Sequence, residues 1–511
     1  MASVPPEVEY KFEAARGAKV PELAGIDDVA TVEGPLSVEL EATYFDTPGL
    51  ALAGEGITLR RRVGGGDAGW HLKIPAGASS RDELRLPLAG TAVEEVPGPL
   101  REAVQLYARG QDLTQVAQIK TRRKVYRLRD CNAETLLEVC DDGVTARTPA
   151  TDAYGALAAW REWEVELVAG KTHHLEAAAQ VLEQAGAQPA VEQSKLARAL
   201  GDRLPRPAGG AEDPMRRDSP AADVVQARLQ EQVAEFKYRD PLVRQNAPDA
   251  VHRMRVAMRR LRSALATFRP LLDREQTEPL REELKWIAGV LGTARDAEVM
   301  HERLMDLVAE QPVELVIGPV KRGIDLELRT AYRTAHERSV EAMQSERYFA
   351  LVDRLDALVA DPPWTPEASE TVESVLPGRV TKDYQRLRRR VAAADEATDQ
   401  ATRNERLHEV RKAAKRLRYA AETMVPVYGR AATRFAKAAK RVQSILGDQH
   451  DAVVAQAELR QIGVRTYLDG ENAYTYGLLQ GVEQANAVAL DAKYRRAWKR
   501  ASRRNLRRWL S

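Results

Sequence analysis

The chain has 511 residues, enough for two to four domains at roughly 100–200 residues each. With 44% apolar and 30% charged residues it has a globular composition, which excludes a largely disordered chain. A net charge of +2 hides a division: residues 1–200 carry 22 Lys and Arg against 30 Asp and Glu, whereas residues 201–511 carry 55 against 45. That asymmetry predicts two modules with different partners. Six Phe, seven Trp and fifteen Tyr leave the cores to Ala, Leu and Val. Two cysteines, Cys131 and Cys140, exclude a disulfide framework and a four-cysteine zinc site, and they fit a reducing cytoplasm. The opening MASVPPEVEYK shows no apolar signal region, and no run of about 18 apolar residues occurs, so neither a secretory signal nor a membrane span is expected.

Residues 1–200 read mainly as β structure. VEYKF, ITLRRRV, GWHLKI, VYRLR, TLLEV and WEVELV alternate with period two between Gly, Pro and Asp turns. A helical stretch, roughly Thr172–Glu183, interrupts them. Breakers from Pro205 to Pro220 mark a linker, after which the period becomes 3.6 and Ala, Leu, Arg and Glu dominate. The expected layout is domain 1–204, linker 205–222 and helical domain 223–511. A second breaker cluster, Asp361 to Pro366, divides the helical half.

The strands carry charge at alternate positions. Glu7, Glu9 and Lys11 share one face of the first strand, Arg60 and Arg62 of another, Lys120, Arg122 and Lys124 of a third, and Glu162, Glu164 and Glu166 of a fourth. On one strand such a face is ordinary solvated surface. On four strands of a closed barrel, alternate residues line the lumen. Arg and Lys there would bind phosphate oxygens, and carboxylates would offer hard ligands to Mg²⁺. Two apparent motifs fail on context. Gly64-x-Gly66-x-x-Gly69 lies between two strands, so it reads as a hairpin loop rather than a dinucleotide fingerprint. Gly170-Lys171-Thr172 lacks the earlier glycine of a P-loop, and His173-His174 opens a helix.

Glu7-x-Glu9-x-Lys11 resembles the opening of the CYTH superfamily, the triphosphate tunnel metalloenzymes. The resemblance continues in order through Tyr44-Phe45-Asp46-Thr47, Leu59-Arg60-Arg61-Arg62, Trp70-His71-Leu72-Lys73, Lys120-Thr121-Arg122-Arg123, Glu164-Val165-Glu166-Leu167 and Ser194-Lys195. It implies an eight-stranded antiparallel β-tunnel that binds a triphosphate with Mg²⁺ or Mn²⁺. By position it implies Glu7, Glu9, Glu164 and Glu166 as metal ligands. Lys11, Arg60, Arg62, Lys73, Lys120, Arg122 and Lys195 would grip phosphate. Glu9, Lys11 and Asp141 would be the catalytic groups. The match at Asp141 is loose, and Glu138 or Asp142 stands as the alternative, because a one-residue slip reverses which face points inward.

The helical half repeats itself. His252-x-x-Arg255-x-x-x-Arg259-Arg260-Leu261-Arg262 returns as His408-x-x-Arg411-x-x-x-Lys415-Arg416-Leu417-Arg418 at an offset of 156. Leu291-Gly292-x-x-Arg295-Asp296 returns as Leu446-Gly447-x-x-His450-Asp451 at 155, with Lys285 matched to Lys440. Positions i, i+3, i+7 and i+10 form one stripe of a helix, so each copy presents a basic stripe beside an apolar face of Val251, Met254, Met258, Leu261 and Leu265. A solvated face is the ordinary reading, but a repeated, uncompensated Arg stripe asks for an anionic partner. The pattern resembles the CHAD domain, with Arg295 standing where a histidine would complete the symmetry. That resemblance implies a pseudo-symmetric pair of four-helix bundles binding inorganic polyphosphate. The implied contacts are His252, Arg255, Arg259, Arg262, Lys285, His408, Arg411, Lys415, Arg418, Lys440 and His450. The tail Lys493–Arg508 holds nine Lys and Arg and no acid; nucleic acid, a membrane surface or its own bundle could receive it.

These observations predict an α+β multidomain, cytoplasmic protein, with association to polyphosphate granules. They predict a metal-dependent triphosphatase tethered to a polyphosphate-binding domain. The competing readings are a non-catalytic polyphosphate-binding protein, adenylyl cyclase chemistry, and nucleic-acid binding by the helical half.

Overall fold

The computed structural model describes residues 8–15, 17–75, 81–88, 95–149, 157–191, 194–205 and 214–510. The chain divides into two compact units, Met1–Gly210 and Ala211–Ser511. Among the described residues no helix is long and apolar enough to cross a membrane.

The first unit is one antiparallel sheet with short helices around it. In chain order it contains β1 (Glu9–Glu13), β2 (Thr31–Asp46), α1 (Ala51–Gly54), β3 (Thr58–Val63), β4 (Gly69–Pro75) and β5 (Arg81–Leu86). There follow α2 (Gly98–Ala103), α3 (Gln105–Ala108), β6 (Thr114–Arg129), β7 (Thr135–Arg147), β8 (Leu157–Leu167), α4 (Thr172–Gln184), β9 (Gln188–Pro189) and α5 (Lys195–Leu200). The strands pair in the order β5-β4-β3-β2-β6-β7-β8-β1-β9. Eight are the expected tunnel strands, and β9 adds two residues at the β1 edge.

Alternation decides the two faces. On β8, Trp163 and Val165 are fully buried on the outer face, with Phe12 of β1 and Leu175, Ala178 and Leu182 of α4. That apolar layer leaves Glu162, Glu164 and Glu166 on the concave side, as period two requires. The Tyr44-Phe45-Asp46-Thr47 segment ends β2. Asp46 accepts backbone N–H bonds from Thr47 (2.7 Å), Leu52 (2.9 Å) and Ala53 (2.8 Å), which fixes the turn into α1. Gly64 closes the β3–β4 hairpin at φ +86°, where an added Cβ would stand 2.2 Å from the Glu39 carbonyl oxygen. The Gly64–Gly69 stretch is thus a hairpin loop.

The second unit is helical: α6 (Ala221–Arg244), α7 (Ala250–Thr267), α8 (Arg274–Ala309), α9 (Val320–Met343), α10 (Glu346–Ala360), α11 (Val372–Asp395), α12 (Gln400–Thr423), α13 (Val425–Leu468, broken at Gly429) and α14 (Tyr474–Ala501). A 3₁₀ segment, Arg504–Leu510, follows. The sequence repeat becomes a structural one, with α6–α9 corresponding in order to α11–α14. Val251, Met254, Met258, Leu261 and Leu265 are buried on α7, and Leu407, Val410, Ala414 and Leu417 on α12. The tail docks on its own bundle. Trp509 lies 5.0 Å from the Tyr428 ring and 6.1 Å from Phe435, and the Arg507 guanidinium sits 3.8 Å from the Tyr384 centroid.

Candidate active site and anion cleft

A cavity of about 390 Å³ occupies the concave side of the sheet. Every strand from β1 to β8 contributes to its wall, with Ser194 and Lys195 entering from α5. One side carries cations from β3 to β6: Arg60, Arg62, Lys73, Arg81, Arg85, Arg123 and Arg127. The other carries acids from β7, β8 and β1: Glu138, Glu164, Glu166 and Glu9, with Lys11 among them.

The charges meet in a buried network. Lys11 Nζ lies 3.1 Å from both Glu9 and Glu164. Arg123 donates to both oxygens of Asp142 (2.8 and 2.6 Å) and also to Glu164. Lys195 Nζ lies 2.9 Å from Asp142, 2.6 Å from Glu162 and 2.7 Å from Glu164. Burial alone would raise the Glu164 pKa, but Lys11, Lys195 and Arg123 hold it well below the ordinary carboxylate range. Burial likewise opposes the Lys195 ammonium, and the three acids overcome it and raise its pKa. Tyr44, also buried, accepts from Arg60 Nη1 at 3.5 Å, and the guanidinium outweighs burial to lower the phenol's pKa. His71 Nδ1 and Arg85 Nε bracket Glu83 at 2.7 and 2.8 Å.

Asp142, Glu162 and Glu164 place carboxylate oxygens within 4.8 Å of one another, all three buried. Glu162 Oε1 has no aligned hydrogen bond. An all-oxygen, carboxylate-rich donor set fits Mg²⁺ or Mn²⁺ and excludes a soft-metal preference. Cys140, across from Glu164 in the ladder, does not alter that: burial pushes its thiol up to about 12, so it stays protonated.

The structure brings Glu9, Lys11, Arg60, Arg62, Lys73, Glu164, Glu166 and Lys195 to one cavity. Glu7 lies outside the described residues. Three expected residues point elsewhere. Lys120 and Arg122 face outward, where they pair with Glu41 and Glu39 across the β2–β6 ladder; the Arg122 side chain is 87% exposed and its Glu39 partner 84%. Asp141 also faces away, bound by Arg161 Nε and Nη2 (2.7 and 2.9 Å) and by Trp163 Nε1 (3.2 Å). In each case the next residue takes the inward place, Arg123 for Arg122 and Asp142 for Asp141, and these two are ladder partners. Sequence reasoning missed Arg123, Arg81, Arg85 and Arg127 as wall cations and Glu162 as a member of the buried acidic group, whereas Asp142 was the alternative it offered to Asp141. A signal existed: Glu39 and Glu41 form a period-two acidic pair that suits an exterior ion ladder opposite Lys120 and Arg122.

In the helical unit, α7 and α12 put their basic stripes together. Burial, then Arg411 and Arg259, push the Lys415 ammonium down to about 7, a coupling that requires both repeats to face one space. Arg255 donates to the Gly292 carbonyl (2.9 Å) and Asp296 (3.2 Å), and the Arg259 and Arg411 Nε atoms are buried without a partner. The His408 and His450 rings stand 4.4 Å apart. Burial and then His450 lower His408 to about 4, and burial followed by Arg411 lowers His450. His252, lowered by burial and Arg295, belongs to the same cluster. Arg262 instead sits beside Arg281 and Glu282, and Arg418 bonds Glu422 (2.6 Å) and Gln443 (3.2 Å). Lys285 and Lys440 are exposed; Lys285 pairs with Glu282 at 3.1 Å.

Residues 5–200 match the CYTH domain family and residues 227–460 the CHAD domain family. Uncharacterized proteins of two Mycobacterium tuberculosis strains are each 39% identical over 487 residues, covering 93% of this chain and 92% of their own. Among solved structures, PptA from Streptomyces chartreusis is similar at 25% identity and TM-score 0.47, over 55% of this chain and 100% of its own. The CHAD domain from the plant Ricinus communis is similar at 22% identity and TM-score 0.44, over 57% of this chain and 96% of its own.

Proposed function

The chain belongs to the family of proteins that join a CYTH domain to a CHAD domain, and we propose that its tunnel hydrolyses inorganic triphosphate or another triphosphate compound with Mg²⁺ or Mn²⁺. The observation that carries this reading is one cavity in which cations from β3 to β6 face Glu9, Glu138, Glu164 and Glu166, with Glu164 also belonging to a buried group in which it lies within 4.8 Å of Asp142 and Glu162. Neither half of that arrangement would be tolerable without the other, because isolated buried charges are costly.

The chemistry follows from charge. A triphosphate repels a nucleophile, so neutralising its oxygens is the main catalytic task. Arg60, Arg62, Lys73, Arg81, Arg85, Arg123 and Arg127 bind and align the phosphate chain. Lys11, held beside Glu9 and Glu164, places a further cation at the reacting end. A divalent cation held by Asp142, Glu162 and Glu164 would supply Lewis-acid neutralisation of the phosphate oxygens. Glu9 and Glu166 also line the cavity and give a water's proton an acceptor. Attack forms a new P–O bond, the anhydride P–O bond breaks, and orthophosphate is released.

The helical domain, in this reading, binds inorganic polyphosphate in the cleft between α7 and α12. Arg255, Arg259, Arg411, Lys415, His252 and His450 are its main contacts, and a depressed Lys415 pKa among arginines is what an anion would relieve. A cytoplasmic location at polyphosphate granules goes with that partner. The deciding experiment is an orthophosphate-release screen over inorganic triphosphate, thiamine triphosphate and nucleoside triphosphates with Mg²⁺ or Mn²⁺. Wild-type turnover should exceed that of Glu164→Ala at least about 100-fold on one substrate. Equal rates for the two proteins on every substrate would leave a non-catalytic binding protein.

A further inference from the structure

Lys195 occupies a position unlike that of the other cations in the tunnel. Its ammonium reaches all three carboxylates of the buried acidic group, at 2.9, 2.6 and 2.7 Å. Lys11 reaches only Glu164 within that group, and Arg123 reaches Asp142 and Glu164. Glu162 bonds otherwise to Trp160 Nε1, which donates to it at 2.5 Å. Lys195 therefore stands at the one point that the three acids share.

The backbone under it is fixed. Lys195 is the first residue of α5, whose start is held by Ser194 Oγ accepting from Ala197 N (3.0 Å), and Leu196 and Leu200 are buried. With the backbone held, any exchange of partners falls to the side chain, which also lines the cavity where phosphate would lie.

A metal ion at the shared point would bind oxygens at about 2.0–2.1 Å for Mg²⁺. An ammonium cannot remain within 3 Å of the same three oxygens beside it, because the two like charges would stand almost in contact. On the tunnel reading given above, we propose that the Lys195 ammonium is the resident counter-ion of the Asp142–Glu162–Glu164 group, so that lysine and divalent cation occupy it in turn. The free protein then binds metal more weakly than three buried carboxylates would alone. A phosphate chain in the cavity gives the ammonium another anion to hold and releases the carboxylates. Lys195 thereby couples metal binding to substrate binding, acting as a positioning residue rather than one that makes or breaks a bond.

The test is Mn²⁺ titration of the full chain by calorimetry, without any phosphate compound, on wild type, Lys195→Met and Lys11→Met. Lys195→Met should bind Mn²⁺ at least tenfold more tightly than wild type and than Lys11→Met. Equal or weaker binding overturns the proposal, and so does an equal gain in Lys11→Met, since that would be a general charge effect. Lys195→Gln and Lys195→Arg guard against a misfolded variant. The first should follow Lys195→Met, and the second should stay within threefold of wild type; the reverse order overturns the proposal. Mn²⁺ should also raise the melting temperature of Lys195→Gln more than that of wild type. Because no turnover is read, a protein that hydrolyses nothing can still pass or fail this measurement.

Discussion

Arg122 and Arg123 are adjacent in sequence and lie on opposite faces of β6, which makes them a direct test of the tunnel. Arg123 donates to both oxygens of fully buried Asp142 and also to Glu164. Removing it in Arg123→Met leaves Asp142 with Lys195 as its remaining ion-pair partner. Breaking a buried pair on one side costs about 3–5 kcal/mol. The lost phosphate contact should lower turnover by about 10²–10³-fold, as removal of one charge-stabilising donor does elsewhere. Arg122 pairs at 3.4 Å with Glu39, both side chains being over four-fifths exposed, and such pairs contribute little. Arg122→Met should leave turnover within about twofold of wild type and the urea midpoint unchanged. The assays are orthophosphate release at saturating Mg²⁺ and urea unfolding of both variants. If Arg122→Met loses as much activity as Arg123→Met, or Arg123→Met loses none, the inward face has been assigned to the wrong alternation.

The same logic separates Asp142 from Asp141. Asp142→Asn should reduce metal-dependent turnover at least about 100-fold, whereas Asp141→Asn should keep KM and appear as a lower melting temperature, because Arg161 loses a two-point partner. Burial raises the Glu83 pKa, but His71 and Arg85 outweigh it and hold the carboxyl at about 2. A depressed folded pKa contributes stability above the ordinary carboxylate range that is lost as pH falls through about 2. The urea-midpoint gap between wild type and Glu83→Gln should therefore narrow from pH 5.5 to 3.5, and an unchanged gap would count against the network. In the helical cleft, polyphosphate should restore the Lys415 charge, so binding takes up protons near neutrality. Affinity should be greatest below about pH 7 and decline above it, with Lys415→Met flattening the profile; calorimetry in two buffers of different ionisation enthalpy reads the proton uptake directly.

Much of this organisation is legible from residue order. The β-to-α transition, the α4 helix and the repeat of α6–α9 in α11–α14 follow from period and offset, because hydrophobic spacing reports which face must be buried. Two strands escaped that reading. β2 carries Leu36, Val38 and Leu40 toward the cavity and Glu39 and Glu41 toward solvent, so its apolar side faces a polar lumen instead of a core. β5 is RDELRL, in which Glu83 and Arg85 point inward as an ion pair. A strand whose buried side is charged gives no hydrophobic alternation to detect. The one-residue error at Arg122 and Asp141 has the same origin: on β6 and β7 both faces carry charge, so composition cannot say which is inside, and only the pairing with β2 and β8 does.

The two units handle fixed charge in opposite ways. In the tunnel, acids and bases neutralise one another before any ligand enters; Glu164 is held ionised by three cations and Lys195 by three anions. In that site Glu164, Asp142 and Lys195 are each held by more than one partner. A ligand must exchange partners within it, which favours a small, strongly charged anion that can replace several carboxylates at once. The facing basic stripes of α7 and α12 are less fully compensated. Burial first, then Arg411 and Arg259, lower the Lys415 pKa, and the buried Nε atoms of Arg259 and Arg411 lack acceptors. On the reading proposed above, a polyanion there would relieve the crowding, so affinity should grow with chain length and fall with salt, as for other polyanions bound by counterion release. If the proposed functions hold, the paired tunnel would suit turnover of a short substrate and the less compensated helical stripes retention of a long one.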